Sequence, residues 1–187
     1  MCIRDRDEFT TKINSELIGN LGNLVNRALG FTVKAFDGIV PDPEEFDDMD
    51  KESEKAIKDL GSEIGVLMEQ NHLDRALKKI LQFSAHFNQY FQHKEPWKKE
   101  HGTGACVYLS VNAVRSLAIA IYPFLPKSSQ KIWAQLGMDD DVSEQPFDEI
   151  SNITIKQGHK LGEISPLFEK VEESVIEEQK KKLGANI

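Results

Sequence analysis

The sequence has 187 residues, of which 40% are hydrophobic and 29% are charged, and its formal net charge is −8. This length and composition predict one domain with a hydrophobic core, and they exclude disorder over the whole chain. The acidic balance argues against indiscriminate binding to nucleic acid or anionic membranes, and two cysteines, Cys2 and Cys106, cannot build a disulfide framework. A reducing, cytoplasmic setting is therefore expected.

The first predicted element is a long helix over residues 7–36. Apolar side chains recur there every three or four residues, which places them on one helical face. Gly19 and Gly22 each lower helix propensity by about 1 kcal/mol relative to alanine, which a tight helix contact or a close ligand approach would explain. Residues 1–6 are charged and precede no apolar segment. We expect them to be a non-native or truncation segment rather than a secretory signal.

Four further helices are expected after an acidic linker loop at residues 41–50. Their apolar stripes cover residues 51–69, 73–93, 105–125 and 127–136. Pro96 ends the helix before it, because proline lacks an N–H and restricts the preceding residue. The segment 105–125 is apolar almost all round but carries Arg115, which is costly in lipid. We therefore expect it at the centre of a bundle rather than in a membrane.

The C-terminal part of the chain is less regular. Residues 151–161 have no clear period and are expected to include extended chain, whereas residues 166–183 are expected to form a charged terminal helix. The whole pattern predicts an all-α fold, an antiparallel bundle of about five helices over residues 7–137. An extension over residues 138–187 would end in the terminal helix and pack back on the bundle.

The sequence contains no recognisable catalytic or cofactor motif. Phosphate-binding glycine loops and the nucleophile elbow of hydrolases are absent, so no catalytic residue and no cofactor are assigned to this chain. His93, His101 and Cys106 are conceivable zinc ligands, but their spacing matches none of the paired patterns of zinc sites. We predict no metal site, and a buried packing role for Cys106.

Asn23 and Arg27 are the first candidate binding residues. Their i, i+4 spacing puts an amide and a guanidinium on one helical face. Such side chains can read nucleobase edges, because Arg pairs with two acceptors and Asn with a donor and an acceptor. The alternative is an ordinary solvated polar face, which spacing alone favours.

The corner after the third helix is the second candidate site. Trp97 follows Pro96 directly, and Lys98 and Lys99 come next. An exposed Trp ring offers a flat face on which an unpaired base can stack, and adjacent lysines can meet phosphate. The alternative is that Trp97 fills the core at a helix junction. Residues 75–137 carry a net charge of +7, so this corner lies in the one cationic stretch of an acidic chain.

At these residues the chain resembles the anticodon-binding domain of methionyl-tRNA synthetases, which are class I aminoacyl-tRNA synthetases. Four segments match in order, namely 20–27 with 36–38, 88–90 with 95–98, 107–126, and 164–168, and the resemblance extends over about residues 7–180, nearly the whole chain. The resemblance implies that Asn23, Arg27 and Trp97 bind the CAU anticodon, that Pro96 shapes the corner, and that Lys98 and Lys99 are candidate contacts to the RNA backbone.

The resemblance also sets expectations for partners and activity. It implies binding to the anticodon loop of tRNA(Met), with a catalytic domain in cis and with neither membrane nor DNA as a partner. The HIGH and KMSKS signatures of the class I catalytic site do not occur in these 187 residues. The chain would therefore be an inactive piece of an ATP-dependent ligase. ATP and Mg²⁺ would belong to the parent enzyme, with Zn²⁺ in its catalytic-domain insertion as a further candidate.

Two other interpretations remain open at this point. Related helical domains serve the isoleucine, valine, leucine and cysteine enzymes, so the specificity could be for another anticodon. The chain could also be a helical scaffold that binds a protein partner and no RNA, with Trp97 as a core residue or an interface anchor.

Overall fold

A computed structural model describes residues 11–98 and 102–169. Within these residues the fold contains helices and turns but no strand, and the one β-bridge joins Ile39 to Lys160. The five α-helices are α1 (Asn23–Phe36), α2 (Asp48–Glu69), α3 (Leu73–Lys94), α4 (Thr103–Ile121) and α5 (Pro126–Gln135). The predicted all-α bundle is thus confirmed, and short 3₁₀ turns follow at Pro96–Lys98, Val142–Glu144 and Phe147–Ser151.

The first predicted helix is present but begins in an unusual form. A π-helical segment, Ile13–Gly22, runs directly into α1, while residues 7–10 of the prediction lie outside the described residues. Packing explains the glycine at position 22, since a Cβ there would lie 3.1 Å from a ring carbon of Phe168. The tight contact expected from the glycines is therefore found at Gly22, and Phe168 of the C-terminal segment makes it.

The predicted linker at residues 41–50 is wrong at its end, because α2 already begins at Asp48. Asp47 is its N-cap: its carboxylate accepts a hydrogen bond from the Asp50 N–H (2.9 Å), and the Asp50 carboxylate accepts one from the Asp47 N–H (3.0 Å). This reciprocal cap satisfies N–H groups that a helix start leaves unpaired. The acidic run that resembled a solvated loop is therefore the start of a helix.

Helix α4 occupies the centre of the bundle, as predicted. Its length and apolar composition would suffice to cross a membrane, but 94% of the relevant segment is buried inside the protein. It ends at Ile121 rather than near residue 125, because residues 122–124 form a turn in which the Phe124 N–H donates to the Ile121 carbonyl. Pro126 then opens α5, where a missing N–H costs nothing.

The segment after α5 packs on the same core. Val142, Ile150, Ile155 and Leu161 are buried with the helices, and Cys106 lies in the same cluster, as expected. Arg115 of α4 is nearly inaccessible and anchors this segment by three hydrogen bonds. Its guanidinium donates to the Glu149 carbonyl (2.8 Å), to the Glu149 carboxylate (2.8 Å) and to the Asn152 carbonyl (3.3 Å).

Two C-terminal predictions need correction or fall outside the description. The segment 151–161, expected to include extended chain, forms no strand, and it pairs with the chain after α1 through the bridge from Lys160 to Ile39 and through backbone hydrogen bonds between residues 158–161 and 38–40. The terminal helix does not begin at Pro166, because residues 166–169 are non-helical. The Pro166 carbonyl instead accepts a hydrogen bond from Lys131 (2.9 Å), and the rest of that predicted helix lies outside the described residues.

Candidate nucleic-acid interface

A groove of about 480 Å³ runs between α1, the end of α3 and the corner after it. Its walls are mostly apolar and carry two cationic side chains, which is the composition of a site for a flat, polar-edged ligand. The lining residues are Asn26, Arg27, Gly30, Phe31, Val33, Lys34, Phe91, Trp97 and Ile164. Two predicted site residues, Arg27 and Trp97, therefore share one groove.

Arg27 is held in place by neighbours from α3 and the corner. Its guanidinium carbon lies 5.2 Å from the ring centre of Phe91 and 5.9 Å from that of Trp97. Its Nη2 atom donates a 2.9 Å hydrogen bond to the side-chain oxygen of Gln92. Cation–π contact and one hydrogen bond leave further N–H donors of the guanidinium for a ligand.

Trp97 stands at the surface, with 43% of its area exposed. Its ring centre lies 6.4 Å from that of Phe91, at an interplanar angle of 43°. Pro96 is buried and fixes the turn that displays the indole. The interpretation that Trp97 fills the core is wrong, because the core tryptophan is Trp133, which is 1% exposed and donates from Nε1 to Asp140.

Asn23 lies one helical turn from Arg27 and is tied into the protein. Its Nδ2 atom donates to Oδ1 of Asn88 (2.7 Å), and Asn88 in turn donates to the Asn20 carbonyl (2.9 Å). Asn20 completes this amide network by donating to the Leu81 carbonyl (2.9 Å). The network joins the first helix to α3, and Asn23 is not among the residues that line the groove.

Only one of the two lysines predicted to contact phosphate, Lys98, lies within the described residues. Lys98 is exposed and forms an ion pair with Glu95, three residues before it, whereas Lys99 lies outside the described residues. Lys94 and Arg115 are buried in ion pairs. The net charge of +7 over residues 75–137 therefore overstates the positive charge that this stretch presents to solvent.

Sequence reasoning missed several residues of the groove. Lys34 lies seven residues after Arg27, a spacing that returns to the same helical face, so this cation was findable. Gln92 is close in sequence to Pro96 but nothing in its context signals a partner for Arg27. Ile164 arrives from the C-terminal segment, and no local pattern predicts that contact.

Residues 11–98 and 102–169 contain no group of three or more His, Cys, Asp or Glu side chains placed to hold a metal ion. Cys106 is buried, and burial raises the pKa of its thiol to about 12. Such a thiol is neutral at physiological pH and inert as a nucleophile.

Comparison with known proteins gives this groove its context. The family model described as the anticodon-binding domain of methionyl tRNA ligase matches residues 40–186. The chain belongs to this family. The match includes Pro96, Trp97 and Lys98, while Asn23 and Arg27 lie before its first residue.

Relatives of the domain are methionine–tRNA ligases. That of Pyrococcus horikoshii is 39% identical over 181 residues, which is 92% of this chain and 24% of the relative. That of Sulfolobus acidocaldarius is 36% identical over 176 residues, which is 90% of this chain and 30% of the relative. The anticodon-binding domain thus spans about a quarter of the length of such relatives.

The fold is also found in solved methionyl-tRNA synthetases. The free form of the Mycobacterium tuberculosis enzyme superposes with a TM-score of 0.79 at 27% identity, covering 87% of this chain and 34% of that one. The same enzyme in complex with methionyl-adenylate superposes with a TM-score of 0.78.

Proposed function

We propose that the groove between Arg27 and Trp97 binds the CAU anticodon of tRNA(Met). The observation that carries this proposal is the exposed indole of Trp97 beside a fixed guanidinium, 5.9 Å from its ring centre. The parent protein would be a methionine–tRNA ligase that attaches methionine to tRNA at the expense of ATP. In that enzyme this domain selects the tRNA, while ATP and Mg²⁺, with Zn²⁺ as a further candidate, belong to the catalytic part.

In this proposal Trp97 stacks on a base and Arg27 recognises a base edge. An unpaired base on the Trp97 face is worth about 1–3 kcal/mol and adds little sequence preference, because every base has a flat face. Arg27 supplies preference, since its forked donors suit a pair of acceptors on one base. Gln92 and Phe91 hold Arg27 before RNA arrives, which lowers the entropic cost of binding.

The role of Asn23 in this proposal depends on its existing hydrogen bond to Asn88. Its Nδ2 atom is engaged with Asn88, so a base contact through that group requires exchange of one hydrogen bond for another. We propose that Asn23 reads a base edge with its remaining amide groups while the bond to Asn88 keeps its orientation. Lys98 and Lys99 remain candidates for the RNA backbone.

The partner is expected to be single-stranded RNA in the cytoplasm rather than duplex DNA or a membrane. Trp97 can stack only on a base that is neither paired with another base nor covered by a stacked neighbour, as in an anticodon loop. The acidic remainder of the chain disfavours binding to phosphate backbones in general, so affinity must come from this one groove.

Replacement of Trp97 by alanine tests the proposal. We expect the dissociation constant for a CAU anticodon stem-loop to rise by about 5-fold to about 150-fold, since stacking supplies about 1–3 kcal/mol. The matched control is Phe147→Ala, because Phe147 is an aromatic side chain of similar exposure that packs beside Gly65, outside the groove. Binding is measured by titration of labelled RNA at fixed ionic strength.

Three outcomes would oppose the proposal. Preference of the unaltered chain for a non-CAU loop would favour the domain of another class I synthetase. Equal binding of a CAU loop and a scrambled loop would remove the specificity. Unchanged affinity in both Trp97→Ala and Arg27→Ala would favour a helical scaffold that binds no RNA through this groove.

A further inference from the structure

A partly buried charge cluster lies at the point where α3 ends and the Trp97 corner begins. Lys94 is the last residue of α3, and its Nζ atom lies 2.9 Å from a carboxylate oxygen of Asp47 and 2.8 Å from one of Asp50. Asp50 is fully buried, and it also accepts a 2.6 Å hydrogen bond from the Tyr90 hydroxyl. These ion pairs and this hydrogen bond therefore connect the acidic N-terminal turn of α2 to the C-terminal end of α3.

The same cluster also meets the chain where it returns from the corner. Gly102 precedes α4 with a φ of +87°, and its N–H donates to the Glu44 carboxylate (3.1 Å). A Cβ on Gly102 would lie 3.2 Å from Nζ of Lys94, so the backbone packs directly against the ammonium group. One acidic segment, residues 44–50, thus contacts the chain both before the Trp97 corner, at Lys94, and after it, at Gly102.

The corner itself is in a conformation that needs support. Glu95 has a φ of 42°, in the left-handed region where a residue with a Cβ is strained. Such residues persist only where the surrounding structure determines them. Lys94 on one side is fixed by its ion pairs, and Pro96 on the other side is buried.

We propose that Asp47, Asp50, Tyr90 and Lys94 form a clasp that positions Trp97 for RNA. Within the described part of the chain, the hydrogen bonds and ring contacts of Arg27 and Trp97 involve Gln92 and Phe91 and none of the clasp side chains. The clasp residues therefore act through the backbone of the corner and are positioning residues. The part of the proposal that concerns RNA rests on the proposed function, whereas the placement of the indole can be measured without RNA.

The protonation states of the cluster fit a clasp that stays closed. The hydrogen bond from Lys94, followed by that from the Asp50 N–H, lowers the pKa of Asp47 to about 2. Burial alone would lower the pKa of Lys94, but its hydrogen bonds to Asp47 and Asp50 outweigh burial and raise it. Burial raises the pKa of Tyr90, and the nearby Cys106 thiol is neutral as well, so the phenol remains a donor to Asp50.

A purely structural role is the competing explanation, because any broken buried ion pair weakens a fold. The chain offers a matched control in the pair of Arg115 and Glu149, which is also largely buried and joins α4 to the C-terminal segment. Loss of that pair is expected to destabilise the protein without disturbing the corner. Lys94→Met and Arg115→Met are therefore compared throughout.

The first experiment follows Trp97 in the absence of RNA. The chain has two tryptophans, so a Trp133→Phe background leaves Trp97 as the only indole. Quenching by iodide and the emission maximum are recorded for Lys94→Met, for the nearly isosteric Asp50→Asn, and for Arg115→Met. We expect quenching and emission of Trp97 to change in the first two and to stay at the background value in the third. Should Lys94→Met fail to fold, Asp47→Asn takes its place, since Asp47 is the exposed member of the clasp.

The second experiment measures affinity for a CAU stem-loop RNA in the same variants. A small displacement of a recognition group is costly, so we expect Lys94→Met to raise the dissociation constant at least about tenfold. Arg115→Met is expected to leave it near the unaltered value despite a lower melting temperature. Similar loss in both variants, or no loss in either, would overturn the role of the clasp in RNA recognition.

The two proposals fail separately. If the unaltered chain binds a CAU loop no better than a scrambled loop, the proposed function fails, and iodide quenching alone then decides whether the clasp positions the indole. Quenching that is identical in Lys94→Met and Arg115→Met would overturn the clasp even if the domain binds RNA as proposed.

Discussion

Arg27 illustrates how single residues gain a role only through their neighbours. Its place on α1 follows from helical spacing, but its fixed orientation comes from Gln92 and from the rings of Phe91 and Trp97. A solvated arginine would sample many rotamers and would lose that freedom on binding. In this domain the contacts of Arg27 restrict those rotamers before any ligand binds.

Replacement of Arg27 by lysine tests this residue-scale account. Lysine keeps the charge but has no planar fork for base edges or for stacking on rings, so we expect affinity for a CAU stem-loop to fall by about tenfold, equivalent to about 1.4 kcal/mol. The slope of affinity against salt concentration should remain unchanged, because charge is conserved. Arg75→Lys, an exposed substitution outside the groove, is the control. An Arg27→Lys variant with unaltered affinity would argue against edge recognition.

Asn88 carries a second residue-scale prediction. It accepts from Asn23 and donates to carbonyls of Asn20 and Ser84 in a half-buried network. Asn88→Ala removes the acceptor of the Asn23 amide and the side-chain donor to both carbonyls, so we expect the free energy of unfolding to fall by about 1–3 kcal/mol in urea titrations. If Asn23 reads a base, the same variant should also weaken RNA binding, because Asn23 loses the bond that orients it.

At the scale of elements, the start of α2 both caps that helix and binds the end of α3. Asp47 caps the helix and, with Asp50, binds the last residue of α3. Acidic side chains near a helix N-terminus also interact favourably with the helix dipole. The two helices are therefore tied at the end that lies beside the Trp97 corner.

The low pKa of Asp47 predicts how this tie responds to acid. A carboxyl group with a folded-state pKa near 2 and an ordinary value of 3.8 contributes stability above about pH 4, and that contribution is lost as pH falls toward 2. We expect Asp47→Asn to be less stable than the unaltered chain at pH 7, and the difference to shrink between pH 4 and pH 2. Asp48→Asn, next to it and fully exposed, should show a much smaller difference. Thermal unfolding at a series of pH values is the measurement, and a constant difference across that range would contradict the assignment.

At the scale of the whole molecule, the C-terminal segment closes the fold over the first helix. Phe168 packs on Gly22, Lys131 holds the Pro166 carbonyl, and Ile164 forms one wall of the groove. Residues more than 120 positions apart, such as Arg27 and Ile164, thus line one groove. The groove depends on this closure as much as on α1 and α3.

Gly22→Ala tests the closure. The added methyl group would lie 3.1 Å from the Phe168 ring and from the Leu17 carbonyl, so we expect a loss of about 1–3 kcal/mol in the free energy of unfolding. Gly30→Ala on the same helix meets only a side-chain oxygen at 3.9 Å and should instead stabilise by up to about 1 kcal/mol. Opposite signs in urea unfolding are expected, and a stabilising Gly22→Ala would contradict the tight contact.

The sequence by itself determined the helical class, the central position of α4 and the end of α3 shortly before Pro96. These features depend on local periodicity, on apolar composition and on the missing N–H of proline, all of which act over a few residues. It also put Arg27 and Trp97 among the candidates, through side-chain chemistry and a family resemblance.

Only the tertiary structure decided which candidates meet. The hydrogen bond from Arg27 to Gln92 and the one from Asn23 to Asn88 each join residues 65 positions apart, and no local pattern encodes such pairs. The exposure of Trp97 is likewise set by how the whole chain packs. The structure likewise shows that Asp50, within the charged run at residues 44–50, is a buried anchor, because Lys94 and Tyr90 of another helix bind its carboxylate. Burial and long-range pairing are properties of the packed chain, so the three-dimensional arrangement was needed to separate a solvated charge from a positioning one.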